Sequence, residues 1–185
     1  GKSKIDKRKE DWIIQGKDWY DKGNSLAKLG KDQEAIACYD KALSLDSANW
    51  GAWTNKGNSL AKLGKDEETI VCYSQAIRLN PEDLRAWSNK GFALNKLERY
   101  EESIRCYNQV IRFNPKDHNA WFSRGNALAS LRKYEESIAC YDKALSLDSE
   151  DLRALFNKGN ALANLKKFEE SIECFDKVIK KNPEY

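Results

Sequence analysis

The chain has 185 residues, 41% hydrophobic and 33% charged, which is enough apolar material for one or two folded domains and too much for a disordered chain. Its 32 Lys and Arg against 29 Asp and Glu leave a net charge of +3 with the signs interleaved, so the composition points to no nucleic-acid partner. No apolar run approaches the roughly 20 residues of a membrane helix and no secretory leader opens the chain, so a cytoplasmic protein without membrane association is expected. The initial Gly and the lack of any Met read as a cloning remnant heading a piece of a longer protein.

Residues 1–15, GKSKIDKRKEDWIIQ, form a charged lead-in or partial cap, in which Ile5, Trp12 and Ile13 are expected to cover the exposed face of the first helix. From Gly16 onward the chain repeats itself. GNSLAKLGKD at 23–32 returns at 57–66, and YDKALSLDS at 39–47 returns at 141–149. The shift is 34 residues per copy, and it aligns Gly23, Gly57, Gly91, Gly125 and Gly159 as well as all five cysteines. Five unbroken repeats follow, 16–49, 50–83, 84–117, 118–151 and 152–185, read as a single domain.

Within a repeat the apolar residues follow a helical period. Trp53, Leu60 and Leu63 mark one helix, then Ile70, Tyr73 and Ile77 a second. Gly64 supplies the turn between them and Asp66 reads as a cap of the second, whose first turn carries Glu67 and Glu68 against the helix dipole. Asn80-Pro81, Asn114-Pro115 and Asn182-Pro183 end the pair. So short a helix pair leaves its apolar face open, and stacked neighbours must close it. Gly57 and Thr69 are small where the two helices of one repeat approach.

This pattern resembles the tetratricopeptide repeat over residues 16–185, with Trp53, Gly57, Leu60, Tyr73, Ala76 and Pro81 at that family's signature positions. The fifth repeat departs by carrying Leu155 in place of Trp, and Ser47 and Ser149 stand where other repeats close on Pro. The resemblance implies an all-α fold, a right-handed superhelical solenoid of antiparallel helix pairs. Its first helices line a concave groove, and that groove holds a peptide or protein segment.

Positions six and nine of the first helix face the groove in the family. Here the sixth carries Asn55, Asn89 and Asn157, and the ninth Asn24, Asn58, Asn126 and Asn160. Asn is a mediocre helix former, and its amide offers both donor and acceptor to an extended peptide backbone. The competing reading is a water-facing residue with local hydrogen bonds. Tyr20, Phe122 and Phe156 at the fifth position and Lys28, Lys62 and Lys96 at the thirteenth complete the candidate lining, with Arg85 at the second position of the third repeat. They imply a groove basic along one edge in its amino-terminal half and more aromatic in the other. The family's carboxylate clamp for chaperone tails is poorly matched, since Tyr20 and Asn89 stand where it needs cations.

Catalysis, cofactor and metal find no support in the sequence. His118 is the only histidine, and one Cys per repeat suits a small buried residue rather than converging ligands. The leading expectation is a non-catalytic protein-interaction scaffold or adaptor. A structural spacer is the alternative, with end-to-end self-association through Phe175, Val178 and Ile179 at the last layer, where Lys181 replaces an apolar residue. RNA binding, by analogy with pentatricopeptide repeats, is opposed by the near-neutral charge.

Overall fold

The computed structural model describes residues 1–184; Tyr185, which closes the fifth repeat in the sequence, lies outside the described residues. Among the described residues there are ten α-helices and no strand: α1 (Lys4–Lys28), α2 (Asp32–Leu45), α3 (Trp50–Lys62), α4 (Asp66–Leu79), α5 (Leu84–Lys96), α6 (Tyr100–Phe113), α7 (His118–Ser130), α8 (Tyr134–Leu147), α9 (Leu152–Asn164) and α10 (Phe168–Lys181). Odd-numbered helices are the first of each repeat and even-numbered ones the second. They group into two compact units, Gly1–Ala93 and the chain from Leu94 onward. In the first, α2 packs between α1 and α3, and α3 against α4; in the second, α6 to α10 pack each on the next.

One turn joins the two helices of every repeat. Gly64 N–H donates to Ala61 O and Lys65 N–H to Leu60 O, a Schellman closure with Gly64 at φ 74°. The same pair of bonds recurs after α1, α5, α7 and α9, but there Gly30 is followed in the series by Glu98, Arg132 and Lys166, at φ 58°, 60° and 61°. Asp66 is not the cap expected of it. It is the first helical residue, and Lys65 at the cap position makes no side-chain cap bond, because an ammonium group has no acceptor to offer the first-turn N–H groups. Asp66, Glu67 and Glu68 therefore act through the dipole of the first turn.

Second helices stop at an Asx turn. Asp46, Asn80, Asn114, Asp148 and Asn182 each accept the N–H two residues on through a side-chain oxygen. The stop is thus the same at Ser47 and Ser149 as at the three prolines. First helices in the later repeats are capped by Asn49, Asp117 and Asp151, each accepting backbone N–H bonds. Asp83 does the same for Ala86 and also accepts the Thr54 hydroxyl at 3.0 Å.

The core is layered. A Cβ built on Gly57 would lie 2.7 Å from the Tyr73 ring, so the glycine is the socket for that aromatic. Tyr39 and Tyr141 fill the same socket at Gly23 and Gly125, and Phe175 at Gly159. Between repeats, Ala52, Ala86, Ala120 and Ala154 are buried at the third position, and Ala76, Ile77 and Ala86 cluster with Trp53 and Trp87. Three Trp indoles latch the preceding loop: Trp53 N–H donates to Ser47 O, Trp87 to Pro81 O and Trp121 to Pro115 O, at 2.8–3.0 Å. Lys56 pairs with Asp40, and Lys158 with Asp142, one repeat back in both cases.

The lead-in does not fold back as a cap. A Ser3–Asp6 capping box starts a helix that runs without a break into the first repeat, so Ile5, Trp12 and Ile13 project from overhanging turns and are more than half exposed. Helix continuity from Ser3 holds these residues along α1 and away from its own flank. At the last repeat, Ile172 and Ile179 are each 57% exposed, whereas their counterparts Ile70 and Ile77 are buried beside the next repeat. The first repeat is different, with Asp18 and Ser25 exposed where later repeats bury Ala or Ser.

Candidate functional site

Asparagine placement follows from the tyrosine sockets. Tyr39 is buried against Gly23 with its hydroxyl at the first-helix face, where it donates to Asn24 Oδ1 at 2.9 Å. Asn55, one repeat on, donates its amide to the same oxygen at 2.8 Å and to the Tyr20 hydroxyl at 3.2 Å. The unit recurs. Tyr73 and Asn89 both donate to Asn58 Oδ1, at 2.7 and 3.0 Å, and Tyr141 and Asn157 both donate to Asn126 Oδ1, at 2.8 and 2.9 Å.

The Oδ1 atoms of Asn24, Asn58 and Asn126 thus each accept two hydrogen bonds, and among the described residues the Nδ2 groups of these three and the Oδ1 atoms of Asn55, Asn89 and Asn157 are left over. The asparagines are therefore structural and outward-facing at once: half of each amide satisfies a buried hydroxyl and a neighbour, and half is presented to the first-helix face. Burial holds the tyrosine phenols well above their ordinary range, with Tyr107 pushed up to about 12 and Tyr39, Tyr73 and Tyr141 shifted in the same direction. Those hydroxyls stay protonated and donate throughout the physiological range.

Each unit carries a cleft on the face of its own first helices. One, of about 330 Å³, lies between α1 and α3 over Asn24, Asn55 and Asn58, with Lys28 and Lys62 on its walls. The other, of about 410 Å³, lies between α7 and α9 over Asn126, Asn157 and Asn160, with Ser130, Tyr134 and Asn164 on its walls. Asn160 is exposed and has no tyrosine above it, because Phe175 occupies that socket.

The other candidates divide. Lys28 and Lys62 share the first cleft, whereas Lys96 belongs to the part of α5 in the second unit and lines neither cleft. Arg85 is turned toward Asp83 at the start of its own helix, at 4.0 Å. Tyr20, Phe122 and Phe156 stack on the aromatic residue of their own repeat, at centroid distances of 6.2, 6.1 and 5.7 Å, outside the two clefts. Their roles differ beyond that: Tyr20 positions Asn55, the Arg153 guanidinium lies 4.7 Å over Phe122, and Phe156 keeps an exposed edge. Phe122 and Phe156 are thus engaged in packing, while the second cleft is lined by Asn126, Asn157, Asn160 and Asn164 together with Ser130, two alanines and the rings of Tyr134 and Tyr141.

One residue escaped the sequence reading. Phe92 occupies the ninth position of the third repeat, where every other repeat has Asn, and is 64% exposed. Its departure from an otherwise constant position was the available signal.

The five cysteines are buried, and burial raises the Cys72 thiol to about 11 and the Cys140 and Cys174 thiols in the same direction. Among the described residues no three of His, Cys, Asp and Glu converge as a metal site would require, and no helix is long and apolar enough to cross a membrane. His118 lies 3.8 Å from Asp148 at the start of α7.

Comparison with known proteins agrees with this architecture. The Tetratricopeptide repeat family matches residues 51–83, 84–117, 118–151 and 152–185, and a TPR repeat family matches 23–64. No curated protein matches the chain in sequence. Among solved structures, YrrB, described as a TPR protein with an unusual peptide-binding site, is 26% identical, with 90% of this chain and 86% of that one covered at a TM-score of 0.84. MamA from Desulfovibrio magneticus RS-1 is 21% identical, covering 90% and 94% at 0.86. A tetratricopeptide repeat protein from Parabacteroides merdae is 21% identical, covering 92% and 68% at 0.85. These share the all-α solenoid fold, and the in-phase repeats with their Gly–Tyr sockets and Trp latches make the chain a member of the tetratricopeptide repeat family.

Proposed function

We propose that the chain is a non-catalytic scaffold whose five repeats act as one domain, binding an extended peptide or protein segment along the face of its first helices. The observation that carries this reading is the half-used asparagine pair. Asn24 with Asn55, and Asn126 with Asn157, each leave one amide donor and one carbonyl acceptor beside a cleft, which is the complement of a peptide unit in extended conformation. The peptide-binding site described for YrrB supports it by analogy. A protein partner fits a near-neutral chain better than a nucleic acid does, and one buried thiol per repeat suits the reducing cytoplasm.

Alanine substitution is a poor test, since it would orphan a buried tyrosine hydroxyl. Asn24→Asp, Asn58→Asp and Asn126→Asp together keep the saturated oxygen and replace the outward donor with an acceptor. A randomised octapeptide library displayed on phage should enrich binders on the unaltered chain and lose them on the triple variant at unchanged helicity. Equal enrichment on both would end the groove reading.

A second reading rests on α10. Phe168, Ile172 and Ile179 form an exposed apolar row, so a copy of the chain could meet it tail to tail, while Asp18 and Ser25 make the opposite end unsuited to head-to-tail stacking.

A further inference from the structure

The two clefts are the same construction three repeats apart. Asn24, Asn55 and Tyr39 in the first correspond to Asn126, Asn157 and Tyr141 in the second, with Ala27 matched by Ala129 and Ser59 by Ala161. The walls differ. Lys28 is replaced by Ser130 and Lys62 by Asn164, while Tyr134 lines the second cleft at the position that Asp32 holds in the first repeat. Stacking alone does not ask for the lysines, because Ser130 and Asn164 stand in the same frame with no cation.

The charges around the first cleft are unequal. Lys28 and Lys62 both line it, and both are exposed. Opposing them is Asp32, 93% buried, whose Oδ1 has no hydrogen bond and sees Lys62 Nζ only at 3.9 Å. That distance leaves all three ammonium donors of Lys62 available, and its side chain is 60% exposed. The Asn24 and Asn58 Nδ2 groups add two neutral donors, so the cleft is rich in donors and carries a surplus positive charge.

We infer that the α1–α3 cleft selects a carboxylate side chain, Asp or Glu, from the extended segment bound over Asn24 and Asn55, whereas the α7–α9 cleft takes an uncharged one. This rests on the groove reading and adds the side-chain chemistry to it. The cations lie at thirteenth positions, so the recognition differs from a chaperone-tail clamp, two of whose three cation positions this chain fills with Tyr20 and Asn89. A carboxylate between two lysines and two amide donors gains charge-assisted bonds that its amide isostere lacks. Because Lys28 and Lys62 are solvated, the preference weakens as salt rises.

The test uses the whole chain and a Lys28→Ser/Lys62→Asn variant, which gives the first cleft the second cleft's walls. An octapeptide library displayed on phage is selected on both. The unaltered chain should enrich Asp or Glu at one position, and the variant should return binders without that enrichment. A synthetic peptide from the first selection should lose about tenfold in affinity when its Glu becomes Gln, and the variant should bind the two equally. A phosphoserine peptide binding more tightly than its Glu counterpart would reassign the site to phosphate and overturn the inference. Binders without acid enrichment on the unaltered chain would overturn it too while leaving the groove reading intact. No binders on either protein would overturn both.

Discussion

A glycine at Gly57 and one at Gly16 look alike in the sequence, and the structure separates them. A Cβ at position 57 would sit 2.7 Å from the Tyr73 ring, while at position 16 its nearest neighbour is Leu45 Cβ at 3.5 Å, ordinary contact. Gly57→Ala should therefore cost about 1–3 kcal/mol by overpacking, and Gly16→Ala, inside α1, should stabilise by about 0.5–1 kcal/mol through helix propensity. Thermal denaturation of both variants beside the parent checks the opposite signs. The buried tyrosines carry a pH signature. Tyr39, Tyr73, Tyr107 and Tyr141 have folded-state pKa values raised above the ordinary 10, so the unfolded chain gives up those protons first. Their contribution is fully present below about pH 10 and is lost as pH rises toward their folded values, by up to about 1.4 kcal/mol per pH unit for each. Denaturant midpoints from pH 8 to 12 should be flat in tyrosine terms up to about 10 and fall beyond it; a midpoint that rises above pH 10 would contradict the burial argument.

The turn between paired helices holds one geometry while its residue changes. Gly30 and Gly64 adopt positive φ freely, whereas Glu98, Arg132 and Lys166 hold it with a side chain. Left-handed backbone costs a non-glycine residue about 1–2 kcal/mol, part of which returns as lost chain entropy when Gly is introduced. Arg132→Gly and Lys166→Gly should each stabilise by about 0.5–1 kcal/mol, and Gly64→Lys should destabilise by a similar amount, read from urea midpoints. This is also where legibility broke down. The helix pairs were readable because a period of 34 repeats both the apolar spacing and Gly64, but Asp66 was misplaced as a cap because the Schellman bond of Lys65 N–H moves the helix start by one residue. The same holds for the lead-in. Ile5, Trp12 and Ile13 looked like covering residues, yet the Ser3–Asp6 box that launches α1 as a single rod depends on a bond across one turn. At the candidate site, the recurrence of Asn at the sixth and ninth positions was visible in the sequence and its outward face was implied by the family resemblance, whereas the saturation of half of each amide was not legible, since the tyrosine hydroxyl that causes it comes from the neighbouring helix.

The first and fifth repeats differ in kind. The first exposes Asp18 and Ser25, the fifth Phe168, Ile172 and Ile179. If copies associate through the apolar end, light scattering should show a mass that grows with concentration and stops at twice the monomer. Ile172→Glu with Ile179→Lys should return it to the monomer without lowering helicity. A series that climbs past two copies would point instead to open-ended assembly. Lys28 and Lys62 were readable as a pair from their period, while Lys96, at the same position of the third repeat, lines neither of the two clefts described. Finally, the oxygen of Asn126 serves a tyrosine of its own repeat and an amide of the next, and the Trp121 indole N–H binds a backbone carbonyl of the loop before it. Such borders are interchangeable couplings. A genetic duplication or excision of one complete 34-residue block rejoins hydroxyl to amide and indole to carbonyl across the seam, so chains of this kind can lengthen or shorten over generations in whole layers, whereas a gain or loss of a few residues within a helix severs every coupling downstream of it in that repeat.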